Sequence, residues 1–264
     1  MAIEGIYMKK FIYFLIVLLM ASIPAFSADM RFIQVDGLLY NQNTAKNFEK
    51  LIDKINNEKK VEFIVFTGNN ISKPSPIDLK NFLKTAKKLK SPYYIVLGQK
   101  DVSKQKDLSK EAYMKIVKKN VRTHRKITSP NYVFKKKDIV FIVADGSKDV
   151  IPTSSGYFKD DVILWLDEQL DNYADKKVII LQHYPLIPPI KKETHYTYKA
   201  NEYLELLSEH KNVKAIIAGH FGVNKEQEAN GILHISTKNA PSYRIIDILD
   251  YDTESPIFWS TIKE

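Results

Sequence analysis

Hydrophobic positions along this chain follow two rhythms that alternate with each other. Short apolar runs rich in Ile, Val, Phe and Tyr occupy residues 31–35, 61–66, 93–97, 139–143, 178–181 and 213–218, and each predicts a buried strand. Between them lie stripes with helical spacing. Phe48, Leu51, Ile52 and Ile55 repeat at i, i+3, i+4 and i+7, and Leu79, Phe82, Leu83 and Ala86 repeat that pattern. The second stripe carries its own start signal: Ser75 can cap the helix, Pro76 suits its first turn and Asp78 favours its positive end. Further helical patterns cover 110–120, 160–173 (with Trp165, Leu166 and Leu170) and 200–209, and a short run at 132–134 precedes the strand at 139–143. From Gly231 onward the helices stop, and three strand-like runs near 232–235, 243–249 and 257–261 close the chain.

Strands that alternate with helices in this way predict a layered α/β domain. There is no internal repeat and no linker-like stretch, so residues 28–264 are expected to form a single domain. The connection 184–199 is long and carries Pro185, Pro188 and Pro189 with Lys191 and Lys192. Such a segment either covers a site or crosses solvent.

The first residues change the picture of where the protein works. Lys9 and Lys10 precede an apolar run at 11–21, followed by Ser22, Pro24 and the small-residue stretch 25–28. This reads as a secretory signal peptide over 1–27, with Met8 an equally good start, and implies export to the periplasm or the outside of the cell. The alternative is an uncleaved membrane anchor, although the apolar core is shorter than the ~20 residues a span needs. Cysteine is absent, so neither a disulfide framework nor a thiolate metal site is available.

Charge narrows the partners. The chain has 40 basic and 31 acidic residues, net +9, but only Arg31, Arg122, Arg125 and Arg244 are arginines. Nucleic-acid recognition favours clustered arginine forks over scattered lysines, so no nucleic-acid partner is expected.

In α/β sheets the usable site lies beyond the carboxyl ends of the strands. The runs ending at Val35, Phe66, Leu97, Leu181 and Ala218 are followed by Asp36, by Gly68-Asn69-Asn70, by Gly98-Gln99-Lys100-Asp101, by Gln182-His183 and by Gly219-His220. Five strand ends therefore present metal-type ligands or their amides. His124, His210 and His234 lie outside these blocks and read as surface or satisfied core histidines, whereas His195 falls in the 184–199 connection. No phosphate-cradling glycine loop, zinc-protease helix pair or nucleophile elbow is present.

In order and spacing, these five blocks resemble the signatures of the calcineurin-like metallophosphoesterases, relatives of the purple acid phosphatases. The resemblance covers nearly all of the chain after the leader, and Trp165-Leu166-Asp167, His234-Ile235-Ser236-Thr237 and Tyr243-Arg244-Ile245-Ile246 fit it as well. It implies a four-layer αββα sandwich: two mixed β-sheets flanked by helices, with the site at the strand ends. It also implies a phosphoester hydrolase that uses divalent metal.

Members of that family typically carry Asp-x-His, Gly-Asp, Gly-Asn-His-Asp or -Glu, a lone His, and Gly-His-x-His. Here Asp36 is kept but Leu38 stands where the first His belongs, and Asn69 replaces the bridging Asp. Gln99 replaces the ligand Asn, Lys100 replaces the His that protonates the leaving group, and Gly222 replaces the final His, while Asp101, His183 and His220 remain. The resemblance thus assigns metal positions to Asp36, Asn69, Gln99, His183 and His220 and catalytic positions to Lys100 and Asp101; Asn70, and His195 through its place in the 184–199 connection, are the candidate substrate contacts. With a neutral amide at the bridge, two adjacent divalent ions lack the anion that offsets their repulsion. The expectation is at most one ion, of Zn, Fe or Mn, with Lys100 meeting an anionic phosphoester directly. The alternative is an inactive pseudoenzyme that binds an anionic ligand or an envelope component.

Overall fold

The computed structural model describes residues 29–249, 253–254 and 256–264; the leader expected over 1–27 lies outside the described residues. The strands are β1 (Met30–Val35), β2 (Phe63–Phe66), β3 (Tyr93–Ile95), β4 (Tyr132–Lys136), β5 (Ile139–Val143), β6 (Gly156–Tyr157), β7 (Lys177–Leu181), β8 (Thr197–Tyr198), β9 (Val213–Ala218), β10 (Lys225–Ala229), β11 (Ile232–Ser236), β12 (Tyr243–Leu249) and β13 (Ile257–Lys263). The helices are α1 (Ala45–Asn57), α2 (Pro76–Ala86), α3 (Lys110–Asn120), α4 (Asp160–Asn172) and α5 (Ala200–Glu209). Among the described residues no helix is long and apolar enough to cross a membrane.

Two large sheets form. One runs β13-β12-β1-β2-β3, with β1, β2 and β3 parallel up to one edge and β12 and β13 antiparallel on the other side; the other runs β10-β11-β9-β7-β5-β4, with parallel strands β11 to β5 between antiparallel edges β10 and β4. Strand alternation sends successive side chains to opposite faces, and this sorts the core into three layers. Phe32, Phe63 and Val65 face Phe141, Ile179 and Ile217 between the sheets. Ile33, Ile64 and Phe66 turn the other way, onto Phe48, Leu51, Phe82 and Leu83 of α1 and α2. On the far side, Ile142, Val178 and Ile180 meet Leu166 and Leu170 of α4 and Leu207 of α5. The architecture is the expected four-layer sandwich.

Local signals act as their chemistry dictates. Ser75 Oγ accepts from Asp78 N at 3.2 Å, and the stripe Leu79, Phe82, Leu83 and Ala86 is fully buried. Two features have no hydrophobic signature. Strand β10 reads Lys-Glu-Gln-Glu-Ala, a polar edge strand held by pairing with β11. Its legible cue is the turn, Asn230-Gly231, where φ is +52° and +73°, the pair of left-handed residues that a two-residue hairpin demands. The other is the small pair β6 and β8, which pins the 184–199 connection onto the body of the protein through Gly156 and Thr197.

Candidate functional site at the strand ends

Parallel pairing within each sheet brings the carboxyl ends of β1, β2 and β3 to one side and those of β7 and β9 to the side facing them. Hydrogen bonds stitch these ends together. His183 Nδ1 lies 2.6 Å from Thr67 O, and because a carbonyl only accepts, that nitrogen carries the proton. His183 Nε2 lies 2.8 Å from Gln99 Oε1 and 3.2 Å from His220 Nδ1. His220 Nε2 is buried without a hydrogen-bond partner, and its backbone is held at φ +74°. Burial first, then the charges of His183 and His195, push the His220 pKa down to about 2, so its ring is neutral at ordinary pH.

The connection 184–199 covers this edge. It places the His195 ring 4.8 Å from that of His220, and the Tyr184 ring lies 4.9 Å from His183 and 4.8 Å from His220. His195 is itself held below its usual value by burial, with Lys192 and His183 adding to the effect. Three imidazoles and one phenol thus share the mouth of the site.

The other residues singled out in the sequence lie close by but are differently engaged. Asp36 is buried, and its two oxygens accept from Thr67 Oγ1 at 3.0 Å and from His220 N at 3.0 Å. It approaches the protonated Nδ1 edge of His183, at 3.6 Å, and not the Nε2 edge. Asn69 Oδ1 accepts from Lys100 N at 3.0 Å, while the Lys100 side chain is exposed. Asp101 is fully buried and accepts from Gly98 N, Ile71 N and Asn70 Nδ2. Burial raises its pKa to about 6 against the opposite pull of those donors. Asn70 is equally buried and donates to Val96 O and Asp101. Asp101 and Asn70 therefore staple two loops together, while Asn70 Oδ1 is buried without a hydrogen-bond partner.

Residues outside the predicted set complete the arrangement. Thr67 joins Asp36 to Gln34, whose Nε2 donates to Thr67 Oγ1 and to Ala218 O. Asn239 lies against Gly37 and Gly222, in the space beside both of the positions where the resemblance expects a histidine. Neither residue had a signal in the sequence, because each acts through a contact between segments far apart in the chain.

The model for the calcineurin-like phosphoesterases matches residues 41–224. The chain belongs to this family. A probable glycerophosphodiester phosphodiesterase from Arcobacter nitrofigilis is 26% identical over 216 residues, covering 79% of this chain and 74% of the relative. Among solved structures, a dimetal phosphatase from Danio rerio superposes with TM-score 0.66 at 14% identity, over 88% of this chain and 99% of that one. GAP50, the anchor in the inner membrane complex of Plasmodium, superposes with TM-score 0.55 at 14% identity, over 90% of each chain. These two likenesses show the fold.

Set against the family's two-metal centre, the residues present do not fit. The bridging position is Asn69, neutral and already accepting from Lys100 N. Leu38 is turned into the core on the helix side, next to Ala240, and Gly222 has no side chain to offer. Both carboxylate oxygens of Asp36 and of Asp101 already accept from donors of the protein itself. Among the described residues, the three-residue His and carboxylate group close enough to grip an ion is Asp167, Asp171 and His210, where His210 Nε2 already bonds to Asp167 at 2.7 Å.

Proposed function

We propose that this chain is an exported member of the calcineurin-like phosphoesterase family that binds at its strand-end site without the family's two-metal hydrolysis. The observation that carries this reading is Asn69: the bridge is a neutral amide whose oxygen is committed to Lys100 N. Two divalent ions side by side need an anionic bridge, and metal-bound water is the family's source of hydroxide at neutral pH. A fold neighbour named for an anchoring role, GAP50, supports the idea that this scaffold also serves as a binding module. The imidazoles, Tyr184 and the exposed Lys100 suit an anionic or phosphoester group at the mouth.

A second reading has its own observation. His183 Nε2, His220 Nδ1 and Gln99 Oε1 converge at spacings of 2.8 and 3.2 Å, close to the ~3 Å between neighbouring donors around a first-row ion with 2.0–2.2 Å bonds. The proton on His183 Nδ1, held by Thr67 O, is the outer support typical of a ligating histidine. These residues would hold one Zn, Fe or Mn ion, which would supply Lewis acidity toward a phosphoester.

One experiment separates the readings. Metal content and hydrolysis of a glycerophosphodiester, chosen because the Arcobacter relative carries that name, are measured with added Mn, Fe or Zn for the protein and its His183→Ala, His220→Ala double variant. The expected result is at most one ion per chain and no turnover that distinguishes the two proteins. Metal-dependent turnover that disappears in the double variant overturns the binding reading in favour of a one-ion hydrolase.

A further inference from the structure

The strand-end site occupies the carboxyl edge of the β1-β2-β3 sheet, and a cavity of about 770 Å³ opens at the opposite edge of the same sheet. It forms where α2 and α3 end and the chain enters β3. Its rim carries Lys87, Lys90, Lys119, Arg122 and Arg125, and no Asp or Glu lines it. Leu89 and Tyr93, both buried, lie beneath with Val121. The volume lies in the range of ordinary small-molecule sites.

The arginines are the informative part. Of the four in the chain, Arg31 pairs with Asp247 and Arg244 with Glu226. The other two, Arg122 and Arg125, both line this cavity, and their guanidinium groups form no hydrogen bond or ion pair with any described residue. The same holds for the ammonium groups of Lys87 and Lys119, while Lys90 reaches the carbonyl of Asn56 at 3.3 Å. Cations at helix carboxyl ends offset the macrodipole, but two helix ends contribute only about one negative charge between them, and five cations exceed it. Arg122 and Arg125 also lie beyond the end of α3, on the short turn Arg122–His124 and its cap.

We infer that this cavity binds a phosphate-bearing organic anion. The two guanidinium forks match phosphate oxygens, the lysines add charge around them, and the Leu89, Tyr93 and Val121 floor receives the organic part. The inference is independent of the strand-end reading, since it uses none of those residues. A soluble phosphate ester and an anionic lipid headgroup share this chemistry.

The test uses pyrophosphate, followed by calorimetry at low and high salt, and sedimentation with phosphatidylglycerol or phosphatidylcholine vesicles. The variants are Arg122→Ala with Arg125→Ala, Lys119→Ala in the last turn of α3, and Lys46→Ala with Lys50→Ala as a control that removes two exposed charges from α1. Binding is expected to weaken about tenfold or more in the arginine pair, less in Lys119→Ala, and not in the control. Pyrophosphate binding with this pattern identifies a soluble ligand, and binding confined to phosphatidylglycerol vesicles with the same pattern identifies a headgroup. Absence of binding to both probes, or equal weakening by the control pair, overturns the inference.

Discussion

The backbone N–H of His220 donates to Asp36 Oδ2 at 3.0 Å, so a single carboxylate ties the end of β1 in one sheet to the end of β9 in the other. The second oxygen takes the Thr67 hydroxyl, and Gly219 passes so close that a Cβ there would collide with the carboxylate. The residue that the family resemblance marks as a metal ligand is, in this fold, a clamp between sheets.

Asp36→Ala should therefore lower stability by about 2–4 kcal/mol, since it leaves two buried donors unpaired. Gly219→Ala should destabilise by at least as much, because the added methyl displaces the clamp. Urea unfolding without metal measures both. An unchanged midpoint for Asp36→Ala would show that the carboxylate does not join the sheets.

The bridging position can be given back its charge. Asn69 sits at φ +51°, a conformation that Asp tolerates as Asn does, so Asn69→Asp should fold. The new carboxylate should raise affinity for Zn or Mn by about tenfold or more, read by calorimetry on the variant and the parent. Equal affinities would mean that charge at position 69 is not what limits metal binding.

Stability should respond to pH through two buried groups of opposite sign. Burial holds His124 down to about 3 and pushes Asp101 up to about 6. The folded histidine binds fewer protons than the unfolded chain, so its contribution is complete above about 6.5 and is lost as pH falls toward 3. His234, held at about 4, acts in the same direction. The folded aspartate binds more protons than the unfolded chain between about 3.8 and 6, so its contribution falls as pH rises through that window. Urea midpoints across the acid range should fall more steeply toward low pH in Asp101→Asn and less steeply in His124→Gln. Parallel profiles for the two variants and the parent would refute this assignment.

Arg244 is 1% exposed and bonds to Thr237 Oγ1, Ser236 O, Ser260 Oγ and Glu226, while Thr237 in turn donates to Gln34 at 2.6 Å. Arg244→Ala should cost about 3–5 kcal/mol, because Thr237 Oγ1 and Ser236 O remain buried without their donor and the packed side chain is lost. Glu226 is 45% exposed, and Glu226→Gln should cost no more than about 1 kcal/mol. Thermal unfolding of the two variants distinguishes the buried partner from the solvated one.

The sequence alone determined the order of strands and helices, because burial of one face leaves a period of two or 3.6 that survives in the chain, as in the Phe48, Leu51, Ile52 and Ile55 stripe. It also marked the five strand ends, since glycine and ligand-type residues follow apolar runs there. It said nothing of β10, whose polar residues are ordered only by pairing with β11, and left the role of the 184–199 connection open until β8 paired with β6 and brought His195 over His220. What each strand-end residue does was decided by tertiary structure. Asp36, Asn70 and Asp101 are the residue types of a metal or substrate site, yet the carboxylate oxygens of the two aspartates and the amide nitrogen of Asn70 are engaged by Thr67, His220, Val96, Gly98 and Ile71, all contributed by other strand ends or by loops. A side chain's chemistry is written in its identity, but whether that chemistry is free to act depends on which donors and acceptors the packed sheets bring within 3 Å of it.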